Sequence, residues 1–423
     1  MKGKTKSGLI LVAIMVTVVF NSGCITDAPP TEFRALYYEL LSQMTEFENS
    51  LPIPTNENHD PVFAAELLTA NSNRGKDLLA PNGIIGVNYE LDCLEELGVE
   101  GVVIAVNFPL FYPPFHTDQA EHDAYLDFYK EVAENVKSRG MKLIIENNFI
   151  FTQEGISTFN LTDFYNYLSL ADYLSGRLQT GIAIADELHP DYLTIVIEPD
   201  TEEAQTGKPV NNVTIQTEYV NDVLTELDNN NITDVKIGAG VGTWHPQYNA
   251  FITSFAATNI DYIDIHVYPI NGDFFERVLT IADIAHSNGK SITMTEAWLY
   301  KTAETELGSI TETSVFARDV FSFWAPLDQK FLEVITKLAY AKEFEFISPF
   351  WTKYFFAYLD YDKVSGKSPE ELISLSSSEA GKNIVAGKFS STGLKYKELI
   401  NEFSNNSPVK NMELLIEKGG RVD

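Results

Sequence analysis

Short apolar, β-branched runs alternate with amphipathic helical stretches eight times along the chain. That alternation predicts a single-domain α/β protein whose parallel strands close into a (β/α)8 barrel of the TIM type. Two further observations narrow the expectation. Asp191–Asp200 (Asp-Tyr-Leu-Thr-Ile-Val-Ile-Glu-Pro-Asp) is nearly continuous apolar sequence up to one carboxylate, as in a strand buried on both faces, and Pro199, which cannot donate to a sheet ladder, ends it. Ser291–Tyr300 repeats the design around Glu296. A doubly wound open sheet is the competing arrangement, but no Gly-rich phosphate fingerprint follows the early strands.

Residues 1–23 read as an export signal: Lys2, Lys4 and Lys6, an apolar run from Leu9 to Phe20, then small residues. The run is shorter than the ~20 residues that span a bilayer. Ser22-Gly23-Cys24 resembles a lipoprotein lipobox, so Cys24 is the expected lipidation site, although Asn21 stands where Leu is usual. Residues 24–61 form a linker and one helix, Thr31–Asn49, with Leu36, Leu40, Met44 and Phe47 at helical spacing. The barrel is expected over 62–404 and a polar tail over 405–423.

Within the barrel, Val62–Asn71 is the first strand, its apolar run interrupted by Glu66. Tyr89–Leu97 is a helix, and Gly101–Phe108 a strand. The helix Gln119–Arg139 carries Tyr125, Phe128, Tyr129, Val132 and Val136 on one face and stops at Gly140. Met141–Phe151 is strand three, helical Asn160–Leu188 follows, and Asp191–Glu198 is strand four. Helix Ile215–Leu227 leads to strand Val235–Gly240, and helix Tyr248–Ala257 to strand Ile260–Tyr268. Helix Phe274–His286 precedes strand Ser291–Glu296. Helical sequence over Thr313–Lys342 breaks at Pro326. Phe344–Trp351 is strand eight, and Leu394–Phe403 closes the ring. Tyr358–Ser390, rich in Ser, Gly and Lys, reads as a loop excursion.

Bulk properties exclude several function classes. The formal charge of the 423 residues is -30, which repels phosphate backbones and anionic lipid heads. No nucleic-acid partner is expected, and the membrane only through a lipid on Cys24. The other cysteine, Cys93, falls on an amphipathic helix and reads as core. No His/Asp cluster has metal-ligand spacing, so neither a metal nor a cofactor is expected.

In a barrel the chemistry sits where the strands end. Strand two ends at Asn107, strand three at Glu146-Asn147-Asn148, and strand four at Glu198. Strand five runs into Trp244-His245 and strand six into His266-Val267-Tyr268-Pro269. Strand seven ends at Glu296 with Trp298 beyond it, and strand eight at Trp351. Flat aromatic rings among amides and carboxylates suit sugar rings, whose C–H faces stack and whose hydroxyls need hydrogen-bonding partners. Strands four and seven face each other across the mouth. Two carboxylates about 5–5.5 Å apart there fit a retaining glycosidase, one as nucleophile and one as acid/base.

The arrangement resembles the clan A glycoside hydrolases, which include cellulases, β-mannanases and β-galactanases. The resemblance rests on Glu198, Glu296, His266-Val267-Tyr268 and Trp351 and spans about Val62 to Phe403. It implies Glu198 as acid/base, Glu296 as nucleophile, and an oligo- or polysaccharide substrate such as a β-mannan or related hemicellulose. His266, Tyr268, Trp351, Trp298, Trp244, His245, Asn148 and Asn107 are the expected substrate-binding residues. One departure stands out. The family has Asn directly before the acid/base, where this chain has Ile197; either Asn148 or His245 substitutes for it, or the substrate presents its 2-hydroxyl differently, as an axial mannose hydroxyl would, or the fold has lost activity. The Arg that such enzymes carry near the first strands is matched by Arg74. A non-catalytic sugar-binding lipoprotein is the alternative, and it would bind oligosaccharide without turning it over.

Overall fold

The eight apolar runs pair in chain order, each hydrogen-bonded to the next. A computed structural model describes residues 28–54, 56, 59–152 and 159–404. The export signal, Cys24 and the tail from 405 lie outside the described residues. The strands are β1 (Val62–Glu66), β2 (Gly101–Ala105), β3 (Lys142–Glu146), β4 (Tyr192–Val196), β5 (Lys236–Gly242), β6 (Tyr262–Val267), β7 (Ser291–Ala297) and β8 (Phe344–Pro349). All pairings are parallel, and β8 returns to β1, so the sheet is a closed barrel without edges. Among the described residues no helix is long and apolar enough to cross a membrane.

Helices cover the outside and bury their apolar stripes against the strands. Gln119–Ser138 hides Tyr125, Phe128, Tyr129, Val132 and Val136, the face its spacing predicts. The helix Arg34–Ser50 buries Leu36, Leu40, Met44 and Phe47, and Phe47 stacks on Phe275 at 3.9 Å. Its Glu48 pairs with Lys330 and Lys337 of the helix Ala325–Ala341. Pro326 opens that helix, where its missing N–H costs nothing.

Three expectations are corrected. The first strand stops at Glu66 rather than Asn71, because Leu68–Ala70 turns as a 3-10 helix onto the rim. The second helix begins at Gly83, well before Tyr89. Tyr358–Ser390 is not a plain loop: it holds a 17-residue helix, Pro369–Val385, begun by Pro369 and a Ser368/Glu371 capping box. Its Leu372, Ser376, Ala380 and Ile384 are buried. Ser and Gly lower helix propensity, but the packed face outweighs them.

The barrel interior changes character along its axis. At the bottom Ala64, Val103, Ile144, Tyr192, Tyr262 and Phe346 form a separate apolar plug. Gly238 of β5 makes room there, since a Cβ would come within 2.0 Å of the Tyr262 ring. Above the plug the inward positions become Glu66, Glu146, Thr194, Asp264, His266 and Thr295, all buried and polar.

Candidate active site

Strand six builds the axis of the site. Side chains two apart share a face, so Tyr262, Asp264, His266 and Tyr268 climb one column from the plug to the mouth. Asp264 is fully enclosed and accepts from the hydroxyls of Thr194 (2.8 Å), Thr293 (2.9 Å) and Thr295 (2.6 Å). Burial, then the charge of Glu146, raises its pKa.

His266 is the hub. Its Nδ1 lies 2.7 Å from Glu198 Oε1 and 3.3 Å from Glu296 Oε2, and its Nε2 lies 2.7 Å from Glu146 Oε1. Burial alone would lower its pKa, but the charges of Glu296 and Glu146 outweigh that and hold it well above the ordinary histidine range. A protonated His266 can donate from both nitrogens to these carboxylates. Burial raises Glu146 in turn, and the His266 charge more than offsets it, leaving Glu146 below its ordinary value.

Each glutamate is delivered by a local irregularity. Residue 198 leaves β4 in the left-handed region (φ 50, ψ 57) and caps the helix Pro199–Thr206. A non-glycine residue there is strained by roughly 1–3 kcal/mol, and Pro199 also disfavours the ordinary helical alternative for its predecessor. The turn is held from behind: Glu202 of that helix pairs with buried Arg177, whose Nη2 donates to the carbonyls of Ile195 (2.8 Å) and Asn147 (3.2 Å). Strand seven reaches the same rim through a bulge. Ile265 pairs with Met294 but His266 with Glu296, so Thr295 is an extra residue. Thr295 bonds Asp264 while Glu296 faces the cavity, an outcome strict alternation forbids.

The two glutamates and His266 each present a ligand atom within 4.8 Å of the others. Tyr268 donates its hydroxyl to Glu296 Oε2. Burial raises Glu296 well above the carboxylate range, Glu146 and Glu198 add to the shift, and the His266 charge opposes it. Asp200, 3.1 Å from Trp244 Nε1, is pushed up to about 6 by burial and then by the charge of Glu198.

Glu198, Glu296, His266, Tyr268 and Trp244 open into one cavity of about 1180 Å³, ample for more than one sugar ring. Of the residues singled out by sequence, Glu198, Glu296, His266, Tyr268, Trp244, Trp351, Asn148 and Asn107 line it. Asn148 Nδ2 donates to the Ile197 carbonyl at 2.9 Å, and its Oδ1 is buried without a partner among the described residues. Its amide thus lies against the backbone of the residue that precedes Glu198.

Two residues fall outside the cavity. Trp298 is fully buried and stacks on Tyr354 at 5.5 Å; β7 ends at Ala297, so the alternation that would set Trp298 beside Glu296 no longer applies to it. His245 is fully buried, with Nε2 2.8 Å from Asn211 Oδ1 and Nδ1 accepting from the Gln247 amide; it ties down the loop after β5. Glu146, Asp264, Asp200, Glu66 and Lys353 escaped the sequence reading as site residues. For Glu146 and Glu66 the signal was present: Leu-Ile-Ile-Glu and Phe-Ala-Ala-Glu are also apolar runs ending in a carboxylate.

By sequence, no family model and no curated protein matches the chain. Solved structures do share its fold. An exo-beta-1,4-mannosidase from Opitutaceae bacterium strain TAV5 superposes with a TM-score of 0.50 at 13% identity, over 81% of this chain and 59% of that one. The chain thus spans little more than half the length of that mannosidase. A GH5_18 protein from Bifidobacterium longum subsp. infantis gives 0.51 at 10% identity, over 82% and 80%. A GH5_18 variant from Bifidobacterium longum subsp. longum, in complex with Manb1-4GlcNAc, gives 0.51 at 12% identity, over 83% and 80%. The shared property is the eight-stranded parallel barrel.

Proposed function

We propose that the protein is a retaining glycoside hydrolase acting on β-linked glycans, with a β-mannan or related hemicellulose as substrate. The observation that carries the reading is the meeting of Glu198, after β4, and Glu296 of β7, within 4.8 Å and across His266, at the cavity they line. That proximity is closer to the roughly 5–5.5 Å of a retaining pair than to the roughly 6.5–9.5 Å that gives an inverting enzyme space for a water, and it supports a double displacement. The mannose side of the reading is supported by the exo-beta-1,4-mannosidase and by the bound Manb1-4GlcNAc among the structural neighbours. The exported, lipid-anchored location expected from residues 1–24 is part of the same proposal.

In the first step an ionised Glu296 oxygen attacks the anomeric carbon. The glycosidic C–O bond breaks, and the Glu198 proton goes to the leaving oxygen. In the second step water attacks the same carbon, giving its proton to Glu198, and the bond to Glu296 breaks. One proton serves the pair. In the resting site burial favours its lying on Glu296, so the productive arrangement has it on Glu198, with the Tyr268 hydroxyl and His266 stabilising ionised Glu296. Trp244 and Trp351 supply stacking faces. A sugar receptor built on the same barrel is the second reading, and the absence of turnover on bound oligosaccharide would favour it.

The test is chemical rescue. Glu296→Ala should lose activity on an aryl β-glycoside by about 10⁴-fold or more, and azide should restore turnover with a glycosyl azide of inverted configuration. Glu198→Ala with azide should give the retained anomer. An inverted azide from the Glu198 variant would exchange the two roles. Wild-type activity in Glu296→Ala would remove the proposal.

A further inference from the structure

Buried polar and charged groups in folded proteins are partnered, because an unpartnered one loses its hydration without replacement. One corner of the cavity breaks this rule. Glu66, at the end of β1, is 1% exposed; Asn71 Nδ2 donates to its Oε1 at 3.0 Å, and its Oε2 has no partner among the described residues. Glu90, fully buried on the helix Gly83–Leu97, spends Oε2 on the amide and hydroxyl of Thr69 and leaves Oε1 without a partner. Lys353, just past β8, is 6% exposed and forms no ion pair among the described residues. Its Nζ stands 4.8 Å from the centre of the Trp351 ring, whose own Nε1 is buried without a partner among the described residues. All four side chains line the same cavity.

Topology gives the corner its place in the reaction. In the ring, β1 lies between β8 and β2, on the far side from β4, which carries Glu198. An acid that protonates the leaving oxygen must stand beside the leaving group, so the sugar that becomes bonded to Glu296 extends the other way, toward β8 and β1. The unspent donors and acceptors face that sugar.

We propose that Glu66 and Lys353 clamp neighbouring hydroxyls of the glycone, with Glu90 and Asn71 bracing the carboxyl side, and that this clamp selects an uncharged sugar. A hydroxyl is both donor and acceptor, so one can accept from the ammonium while its neighbour donates to the carboxyl. An amino sugar would set a second ammonium beside Lys353, and a uronic acid would bring a further carboxylate into the desolvated corner that already holds the carboxyls of Glu66 and Glu90. Glu66 and Lys353 both line the cavity and form no ion pair with each other among the described residues, so both remain available to a ligand. The clamp rests on the glycosidase reading only for which sugar occupies it.

Binding of a sulfur-linked β-1,4-mannobiose, which cannot be hydrolysed, separates the two ideas. Calorimetric titration should show Glu66→Gln and Lys353→Met each weakening wild-type affinity by about tenfold or more, with Lys353→Arg recovering part of the loss. The double variant should lose less than the product of the single losses. On wild-type protein, ligands deoxygenated at single glycone positions should identify a hydroxyl whose removal costs a similar factor. That ligand should bind wild type and Lys353→Met alike. Glucosamine and glucuronate glycones should each bind more weakly than the neutral sugar. Variants that bind within twofold of wild type, or a preference for either charged glycone, would overturn the clamp while leaving hydrolysis of the oxygen-linked disaccharide to stand or fall separately.

Discussion

Two buried lysines near the mouth of the barrel show how the same residue serves opposite ends. Lys301 lies 2.7 Å from Asp319 Oδ1 and is also paired with Asp328, which accepts a hydrogen bond from Tyr358 at 2.8 Å. Burial would lower Lys301, but the two aspartates more than compensate and raise it. Lys353 has two aromatic rings for company and no ion pair among the described residues; burial, only partly offset by Asp319 and Glu66, pushes it down to about 8. The first is a cross-link whose partners the fold supplies. The second waits for a partner in the cavity.

The comparison can be broken by mutation. Lys301→Met strands two buried carboxylates and should destabilise the protein by about 3–5 kcal/mol, read as a lower urea midpoint with unchanged slope. Lys353→Met removes an uncompensated charge, so its midpoint should stay level with wild type or rise. Equal losses in both variants would show that Lys353 is structural as well.

It can be sharpened by pH. A lysine pushed down to about 8 is charged below that value and neutral above it, so affinity for the sulfur-linked disaccharide should fall as pH rises through 8. Lys353→Arg, charged throughout, should remove that limb of the profile. A wild-type affinity that stays flat from pH 7 to 9 would contradict the role given to the ammonium.

The smallest effect concerns stability. Glu66, Glu90 and Glu296 are all raised, chiefly by burial. Carboxyls raised on folding stabilise most below their unfolded value of about 4.5, and lose that contribution as pH climbs through their folded values. His266, also raised, acts in the same direction. Glu48, Glu146 and Glu345 are lowered by their cationic partners and lose their contribution as pH falls below the same value. The thermal midpoint should therefore be highest near pH 5 and decline toward pH 8; a midpoint that rises across that range would contradict the burial of these acids.

The barrel was legible because its strands are buried on both faces and announce themselves as apolar runs, and because Glu198, His266, Tyr268 and Glu296 sit at run ends. What was hidden has physical causes. Alternation alone places either Thr295 or Glu296 inside, and the bulge that admits both leaves no mark in composition. Trp298 lies one residue past the end of β7, where strand alternation stops being a guide. Glu66 looked like an interruption of a strand because an inward carboxylate and a surface one are spelled alike; closure against β8 decides which it is. The helix Pro369–Val385 was masked by its serines, although Ser368-Pro369 with Glu371 was a readable start signal.

The central claim is that Glu296 takes the sugar while Glu198 moves the proton. A 2-deoxy-2-fluoro-β-mannosyl fluoride, whose fluorine slows release of the covalent intermediate, should inactivate the wild-type protein and add one fluoroglycosyl mass to the peptide spanning Ser291–Tyr300, at Glu296. A label on Glu198, or no label together with an inverted product, would contradict the account.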